Sequence, residues 1–325
     1  MRGPLHRCWS VFLVLTFIIH AGCTSTPNPP PLIESIQRIP LRTISIDGHQ
    51  IAYIEIGSGP PLILIHGLGG AMWNWEHQQF ALSSHYRVIT VDLLGSGMSA
   101  KPDITYSPSK LTTFFLQFMN ALEIDKATLL GNSMGAGLAM ATALTEPHRV
   151  QSLILISGFP QTLNGTIHSP LYQRFLEHRP PLWLAKIGNW LAGRWATKQV
   201  LEEILYDVAL LTPLIVERSY QNRIQTDVLT PIYSLMEHMD EWEHHYGVRL
   251  QEILQPTLIL WGEEDQVFQP AVGQHLHELI PQTTWHLIPK AGHLLQWEKP
   301  EQVNAYIQEF LQTHNHDTIN HALPR

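Results

Sequence analysis

Cysteine is scarce in this 325-residue chain and is confined to its start. The two cysteines are Cys8 and Cys23, so no residue after position 23 carries a thiol. Disulfides, thiolate metal sites and cysteine nucleophiles all require that side chain, and the sequence therefore excludes them from the body of the chain. Nucleophilic chemistry there falls to another residue type.

Charge is sparse as well. Charged residues make up 15% of the sequence, against 44% for hydrophobic residues. The 28 acidic and 20 basic residues are interleaved without long runs and give a net charge of -8. Because no basic stripe is available to neutralise phosphates, we do not expect nucleic acid as a partner. The hydrophobic fraction is far above that of a disordered chain and predicts a globular, enzyme-sized protein.

The N-terminus has the pattern of an export signal. Arg2 and Arg7 precede a mainly apolar run over residues 9–19. This run is too short to span a bilayer as a stable anchor, but it matches the core of a signal peptide. We therefore predict a cleaved signal over residues 1–22.

The segment His20-Ala-Gly-Cys23, followed by a proline-rich stretch, resembles a bacterial lipoprotein precursor. The resemblance implies that Cys23 is lipidated and becomes the mature N-terminus, followed by a tether over residues 23–40. It also implies an exported protein anchored in the cell envelope, in the outer membrane if the cell has two membranes, because Thr24 follows the cysteine. The alternative is an ordinary secretory signal cut near Cys23, since His20 stands where an aliphatic residue is usual.

The body of the chain alternates between short apolar runs and helical patterns. Most of the runs lack period-2 alternation, as expected of strands buried on both faces of a parallel sheet. Predicted strands cover residues 41–46, 50–56, 61–65, 88–91, 127–130, 152–156, 257–261 and 284–288, and predicted helices cover 108–122, 134–144, 270–279 and 300–311. This order predicts an α/β fold with a mostly parallel eight-stranded sheet and flanking helices.

One interval departs from this alternation. Residues 159–254 hold helical patterns but no convincing strand, which predicts a helical cap inserted over the sheet. The predicted organisation is a signal peptide at 1–22, a lipidated cysteine and tether at 23–40, an α/β core at 41–158 and 255–312, the cap at 159–254 and a flexible polar tail at 313–325.

The strongest chemical signal lies at the junction of a predicted strand and a predicted helix. Gly131-Asn-Ser133-Met-Gly135 occupies this junction. A turn this sharp strains the backbone of its central residue, needs small neighbours, and projects the serine hydroxyl above the sheet edge. The positive end of the helix dipole favours an oxyanion nearby. The motif predicts Ser133 as a nucleophile, and the alternative role of this serine is to cap the helix.

A glycine-rich segment, His66-Gly-Leu68-Gly-Gly70, follows the third predicted strand. Glycines let the backbone approach a ligand closely, so the amides of Leu68 and Met134 are predicted to converge as an oxyanion hole. His66 is expected to orient this loop, because a general base must reach the serine from the opposite side. A glycine-rich turn without function is the alternative.

A serine hydroxyl needs an imidazole to take its proton and a carboxylate to fix the tautomer of that imidazole. Asp265 and His293 each lie just past the carboxyl end of a late predicted strand. His293 is chosen among 19 histidines for this position. Asp265 is preferred to Glu263 and Glu264, which remain alternatives, because it lies where the loop turns back towards the site.

Five ordered motifs resemble the α/β-hydrolase fold family over residues 41–312. They occupy residues 66–70, 92–99, 131–135, 261–265 and 292–293. The resemblance implies that Ser133 is the nucleophile, His293 the general base and acid, and Asp265 the orienting acid. It also implies an oxyanion hole formed by the amides of Leu68 and Met134, and a structural role for Asp92. We expect no cofactor.

The residues of the predicted cap indicate the class of substrate. Residues 180–195 carry apolar side chains, including several tryptophans, at helical spacing. An aromatic-rich lid over a catalytic serine predicts an apolar acyl pocket and thus a hydrophobic small molecule or lipid as the substrate. These tryptophans could instead pack the cap on its own base or contact a membrane surface.

Three functions remain open. The leading one is hydrolysis of a carboxylic ester through an acyl-enzyme on Ser133. The second is carbon-carbon bond hydrolysis, because residues 131–135 and 292–298 resemble the meta-cleavage product hydrolases. The third is a non-catalytic surface lipoprotein that kept the fold. The histidines at 244, 245, 275 and 277 lack the spacing of a helical zinc pair, so no metal is expected.

Overall fold

The computed structural model of the protein describes residues 39–163, 165–224 and 227–320. The predicted signal peptide, the predicted lipidation site Cys23 and nearly all of the tether lie outside the described residues.

Eight strands form one sheet in the order β1-β2-β4-β3-β5-β6-β7-β8. They are β1 Arg42–Ile46, β2 His49–Ile56, β3 Pro61–Ile65, β4 Arg87–Val91, β5 Ala127–Asn132, β6 Val150–Ile156, β7 Thr257–Gly262 and β8 Thr283–Ile288. Within this sheet only β2 runs against its neighbours. The predicted α/β fold with a mostly parallel eight-stranded sheet is confirmed, and each predicted strand agrees to within two residues at either end.

Eleven α-helices are described. They are α1 Glu76–Leu82, α2 Pro108–Ala121, α3 Met134–Thr145, α4 Pro170–Glu177, α5 Leu182–Ile204, α6 Pro213–Ile224, α7 Leu229–Glu237, α8 Met239–Glu241, α9 Pro270–Leu279, α10 Leu295–Glu298 and α11 Pro300–Asn320. Capping residues and prolines in the sequence mark where several helices begin. Helix α2, for example, begins with Pro108 after Ser107, whose hydroxyl accepts a hydrogen bond from the Lys110 amide at 3.3 Å.

The central strands are buried on both faces, which explains their continuous apolar sequence. In β3, Leu62 and Leu64 face a cluster that includes α1 and α11, whereas Ile63 and Ile65 face a cluster that includes α2, α3 and α9. Successive side chains of a strand point to opposite faces, so both sets must be apolar. The sheet thus lies between two helical layers and presents its carboxyl ends on one edge.

Helices α4 to α8 connect β6 to β7, and the described residues of this segment include no strand. Ile167 of the segment forms an isolated bridge with Phe268, which follows β7. Helix α5 is interrupted at Gly193, which has φ 49° and ψ -128°. Among the described helices, none combines the length and apolar character needed to cross a bilayer.

The C-terminus differs from the sequence expectation. Helix α11 continues to Asn320, so residues 313–320, which the sequence assigns to a flexible tail, are helical. Between Glu301 and Asn320 there is no proline or glycine to end the helix, and a helix once formed extends cheaply along such a sequence.

Candidate active site

Ser133 occupies a strained turn between β5 and α3. Its backbone has φ 53° and ψ -121°, a region that non-glycine residues rarely adopt. The Ser133 amide donates to the Ile156 carbonyl at 3.0 Å, and the Ser133 carbonyl accepts from the Ala136 amide at 2.9 Å. These bonds hold the strained residue at the carboxyl edge of the sheet, directly before the N-terminus of α3.

The glycines that flank this turn have no room for a side chain. A Cβ on Gly135 would lie 2.2 Å from the Ile65 carbonyl oxygen, and a Cβ on Gly131 would lie 2.4 Å from the backbone of Gly135. The start of α3 therefore packs directly on the end of β3. This close approach is the physical reason for the Gly-x-Ser-x-Gly spacing.

Asp265 and His293 are in direct contact. His293 Nδ1 lies 2.8 Å from Asp265 Oδ2, and both side chains are buried. The other carboxylate oxygen of Asp265 accepts from the amides of Val267 at 2.8 Å and Phe268 at 3.1 Å. Because the carboxylate faces Nδ1, the proton of the neutral imidazole resides there and Nε2 is the basic nitrogen.

The serine turn and the histidine loop are joined by Asn132. Its buried side-chain amide donates to the Ile156 carbonyl at 3.1 Å and to the His293 carbonyl at 3.2 Å. The loop after β3 also reaches the serine, because a Cβ on Gly67 would lie 3.3 Å from the Ser133 Cβ. The structure thus brings together the segments that carry Ser133, Asp265, His293, Leu68 and Met134, whereas Cys23 lies outside the described residues.

Leu68 and Met134 line the same cavity. In the part of the chain that the structure describes, neither backbone N–H meets a backbone acceptor. Met134 is the first residue of α3, where an N–H has no partner within the helix. The two predicted oxyanion-hole amides are thus available to a ligand oxygen.

His66 holds the loop after β3. Its Nε2 accepts from the Leu93 amide at 3.1 Å, and its Nδ1 donates to the Gly67 carbonyl at 2.8 Å. Burial lowers the pKa of His66 to about 4, so the ring is neutral near pH 7. As expected from the sequence, His66 orients this loop.

Asp92 has a comparable structural role in the loop after β4. Its carboxylate accepts from the amides of Met72 at 2.6 Å and Met98 at 2.7 Å. Burial raises the pKa of Asp92 to about 6. The role is the one that the family resemblance implies, and the residue makes no contact with Asp265 or His293 among the described hydrogen bonds.

A connection between the cap and the histidine loop is not predicted from the sequence. Glu298 accepts from the Gly292 amide at 2.7 Å and from the amides of Tyr206 and Asp207 at 2.8 and 2.9 Å. The His293 amide donates to the carbonyl of Ile204, at the end of α5, at 2.8 Å. Burial raises the pKa of Glu298. The motif containing Glu298 was visible in the sequence, but its partners lie about ninety residues away.

Two narrow apolar cavities border Met134. Their volumes are about 20 and 30 Å³, and no lysine, arginine, histidine or acidic side chain lines either. Representative lining residues are Leu68, Leu93, Val228 and Ile232 for one cavity and Leu138, Phe159, Met239 and Trp242 for the other. A volume of this size holds a water molecule or two.

The tryptophans of residues 180–195 do not line these cavities. Trp183, Trp190 and Trp195 are exposed. The expectation that they form an apolar acyl pocket is wrong, because α5 turns small side chains such as Ala185 and Ala192 towards the protein. Residues of α2, α3, α7 and α8 and of loops of the core line the cavities instead.

Known proteins share the sequence pattern of this chain. Residues 60–300 match the family model of the alpha/beta hydrolase fold. A 2-hydroxy-6-oxononadienedioate/2-hydroxy-6-oxononatrienedioate hydrolase from Burkholderia vietnamiensis is 30% identical over 270 residues, which are 81% of this chain and 91% of the relative.

Two solved structures are also similar. A meta-cleavage product hydrolase from Pseudomonas fluorescens IP01 has a TM-score of 0.70 and 27% identity, covering 85% of this chain and 98% of that chain. Est816, described as an N-acyl homoserine lactone degrading enzyme, has a TM-score of 0.67 and 25% identity, covering 83% of this chain and 100% of that chain.

Proposed function

Because this chain belongs to the alpha/beta hydrolase fold family, we propose that it is a serine hydrolase that cleaves a carboxylic ester of a hydrophobic acid. Ser133 Oγ attacks the ester carbonyl while its proton passes to Nε2 of His293. Asp265 holds the imidazole in the required tautomer and stabilises the imidazolium. The amides of Leu68 and Met134 bind the oxygen that becomes negatively charged.

The collapse of the tetrahedral intermediate needs a proton on the leaving alcohol. His293 returns its proton to the alkoxide, and the acyl group remains on Ser133. Water then enters, loses a proton to His293 and attacks the acyl carbonyl, so that the acid is released and Ser133 regains its proton. The imidazole thus takes one proton and returns it during acylation, and does the same again during deacylation.

The observation that carries the ester proposal is the apolar lining of the two cavities at Met134. Such a lining favours an acyl chain without charge, because a buried carboxylate needs a cation or several donors. The buried guanidinium of Arg218 already donates to Glu76 Oε2 at 2.6 Å and lines neither cavity. The substrate named for Est816 is a lactone, which is a cyclic ester, and is consistent with this class.

The second candidate is hydrolysis of a carbon-carbon bond. It is favoured by the relative from Burkholderia vietnamiensis, whose name gives a dienedioate as its substrate. A dienedioate has two carboxylates, and the absence of cationic side chains from the lining residues of the two apolar cavities at Met134 weighs against such a substrate here.

Parallel kinetics distinguish the two candidates. The purified chain is assayed with p-nitrophenyl esters of increasing acyl length and with a vinylogous diketo acid, beside a Ser133→Ala control. The ester proposal expects turnover of the esters, highest above two acyl carbons, and none in the control. Turnover of the diketo acid without turnover of any ester would establish the second candidate in its place.

We also propose that the enzyme is exported and anchored to the cell envelope by a lipid on Cys23. The support is the sequence pattern around this cysteine. The test is fractionation of cells that express the wild-type chain or a Cys23→Ser variant. The wild-type chain is expected in the membrane fraction with a lipid-modified N-terminal peptide, and an unmodified peptide beginning elsewhere would contradict the proposal.

A further inference from the structure

The first half of α5 has an inverted amphipathic arrangement. Its exposed side chains include Trp183 at 65%, Trp190 at 74% and Leu191 at 70% exposure. Leu184 and Ile187 are exposed as well. At 100° per residue these five side chains fall within an arc of about 120°, which we call the outer face of α5.

Apart from Leu182 in the first turn, the opposite side of the same half of the helix carries small or polar residues. Ala185, Asn189 and Ala192 are partly buried there, and the Asn189 side chain accepts a hydrogen bond from Arg223 of α6 at 2.5 Å. A helix of a globular protein normally buries its large apolar side chains. Here they are turned away from the protein, so the arrangement is not explained by packing within the described chain.

Charged side chains around the outer face are balanced in pairs. Lys186 contacts Asp227 at 2.6 Å, and Arg194 forms an ion pair with Glu217. Because these cations already have acidic partners, the surface presents aromatic and aliphatic groups within a rim of little net charge. A partner that binds here is therefore recognised by apolar insertion more than by charge.

We propose that the outer face of α5 docks on the surface of a lipid bilayer. Tryptophan is favoured at the boundary between water and lipid because its ring is apolar and its N–H can still meet a polar group. A helix with apolar side chains on one face can lie in that boundary with the face buried among the acyl chains. Trp195, after the break at Gly193, is 68% exposed and extends the aromatic surface.

The length of chain before the described residues supports a lipid bilayer, and not a second copy of the protein, as the partner of the outer face. Positions 23–40 comprise eighteen residues, which reach about 60 Å when fully extended. A six-residue strand spans about 20 Å, so a membrane attachment before the tether leaves the cap within reach of the same bilayer. This choice of occupant rests on the proposed lipid attachment at Cys23 and does not depend on the ester proposal.

The absence of cysteine after position 23 makes a direct test practical. The full chain with Cys8→Ser and Cys23→Ser receives a single Trp190→Cys substitution and an environment-sensitive thiol dye. The matched control places the dye at Leu254→Cys, which is 64% exposed and precedes β7 at the other edge of the sheet. Both proteins are titrated with phosphatidylcholine vesicles.

We expect the emission at position 190 to shift to the blue and to rise at least about twofold, with no change at position 254. Adding anionic lipid is expected to change the binding by less than about twofold, because the surrounding charges are paired. No change at either position, or an equal change at both, would overturn the proposal. A shift at position 190 that depends on protein concentration without vesicles would assign the face to a second copy of the chain.

A second variant tests the proposal without a dye, which could itself bind to lipid. In the same cysteine-free background, Trp183→Ser, Trp190→Ser and Leu191→Ser together are expected to weaken vesicle sedimentation at least about tenfold, since exposed apolar area is lost. The urea midpoint is expected to stay close to that of the parent, because these side chains are exposed in the fold. Unchanged sedimentation with an unchanged midpoint would contradict the proposal.

Discussion

Arg218 of the cap helix α6 and Glu76 of the core helix α1 form a buried ion pair, with Nη1 and Oε2 at 2.6 Å. Their side chains are only 2% and 1% exposed. Glu76 also accepts from the Trp297 indole at 2.7 Å, and the Arg218 guanidinium lies 5.5 Å from the Trp73 ring centre. The pair therefore connects the cap to the core at a point where water is excluded.

Removing one partner of this pair is expected to be costly. Arg218→Met leaves the Glu76 charge buried without its cation and is expected to lower the free energy of unfolding by about 3 kcal/mol. Arg218→Met combined with Glu76→Gln removes both charges and is expected to recover at least half of that loss. Urea unfolding of the two single variants and the double variant measures the coupling, and strictly additive losses would contradict the account.

Gly135 tests the packing of the serine turn. Gly135→Ala places a Cβ 2.2 Å from the Ile65 carbonyl oxygen and is expected to lower the free energy of unfolding by more than about 2 kcal/mol. The matched control is Gly188→Ala in α5, where a Cβ meets nothing within 4 Å. This control is expected to be neutral or to stabilise by up to about 1 kcal/mol. Equal effects of the two substitutions in thermal unfolding would count against the packing described here.

Asp265→Asn tests the orientation of His293. Asp265 Oδ1 accepts hydrogen bonds from two backbone amides, so the side-chain oxygen of an asparagine at position 265 is expected to take its place. The NH₂ group of that asparagine then faces His293 Nδ1. The imidazole is then held with its proton on Nε2 and cannot accept one from Ser133. We expect kcat on a short ester to fall at least about 10³-fold with the fold retained. A fall of less than tenfold would show that Asp265 does not fix the tautomer.

The buried His66 makes stability depend on pH in acid. Its pKa in the folded chain is about 4, below its ordinary value of 6.5. The unfolded chain therefore binds the proton first, so the stability from neutral His66 is complete above pH 6.5 and is lost as the pH falls towards 4.

The His66→Gln variant isolates this dependence. The stability difference between the wild-type chain and this variant is expected to shrink by about 2 kcal/mol between pH 7 and pH 4.5. Other titrating groups such as Asp92 act in both chains and cancel. Urea unfolding at the two pH values gives the difference, and a constant difference would show that His66 is not buried in its neutral form.

Most of the fold was predictable because its signals are local. Buried strands are short apolar runs, and the positions of Ser133, Asp265 and His293 at strand ends follow from chain order. The contact of Asp265 with His293 agrees with that expectation. The Gly-x-Ser-x-Gly spacing also predicts the strained turn, because only glycine fits where α3 packs on β3.

The remainder depends on contacts between distant segments. Arg218 and Glu76 are separated by 142 positions, and no pattern near either residue indicates the other. Helical spacing in α5 reveals an apolar stripe, but the direction in which it faces depends on the small residues of the opposite side and on the neighbouring helices. The sequence therefore left a pocket lining, packing within the cap and contact with a membrane as alternatives for the tryptophans, and they do not line the two apolar cavities.

The central claim is that Ser133 is the nucleophile of a serine hydrolase. Its most direct test is to treat the purified chain with a fluorophosphonate and to locate the adduct by peptide mass spectrometry. The account predicts one phosphonylated residue, Ser133, with loss of ester turnover in proportion to labelling and no labelling of Ser133→Ala. Ester turnover that continues after Ser133 is fully labelled, or an adduct on another residue that accounts for the inhibition, would contradict it.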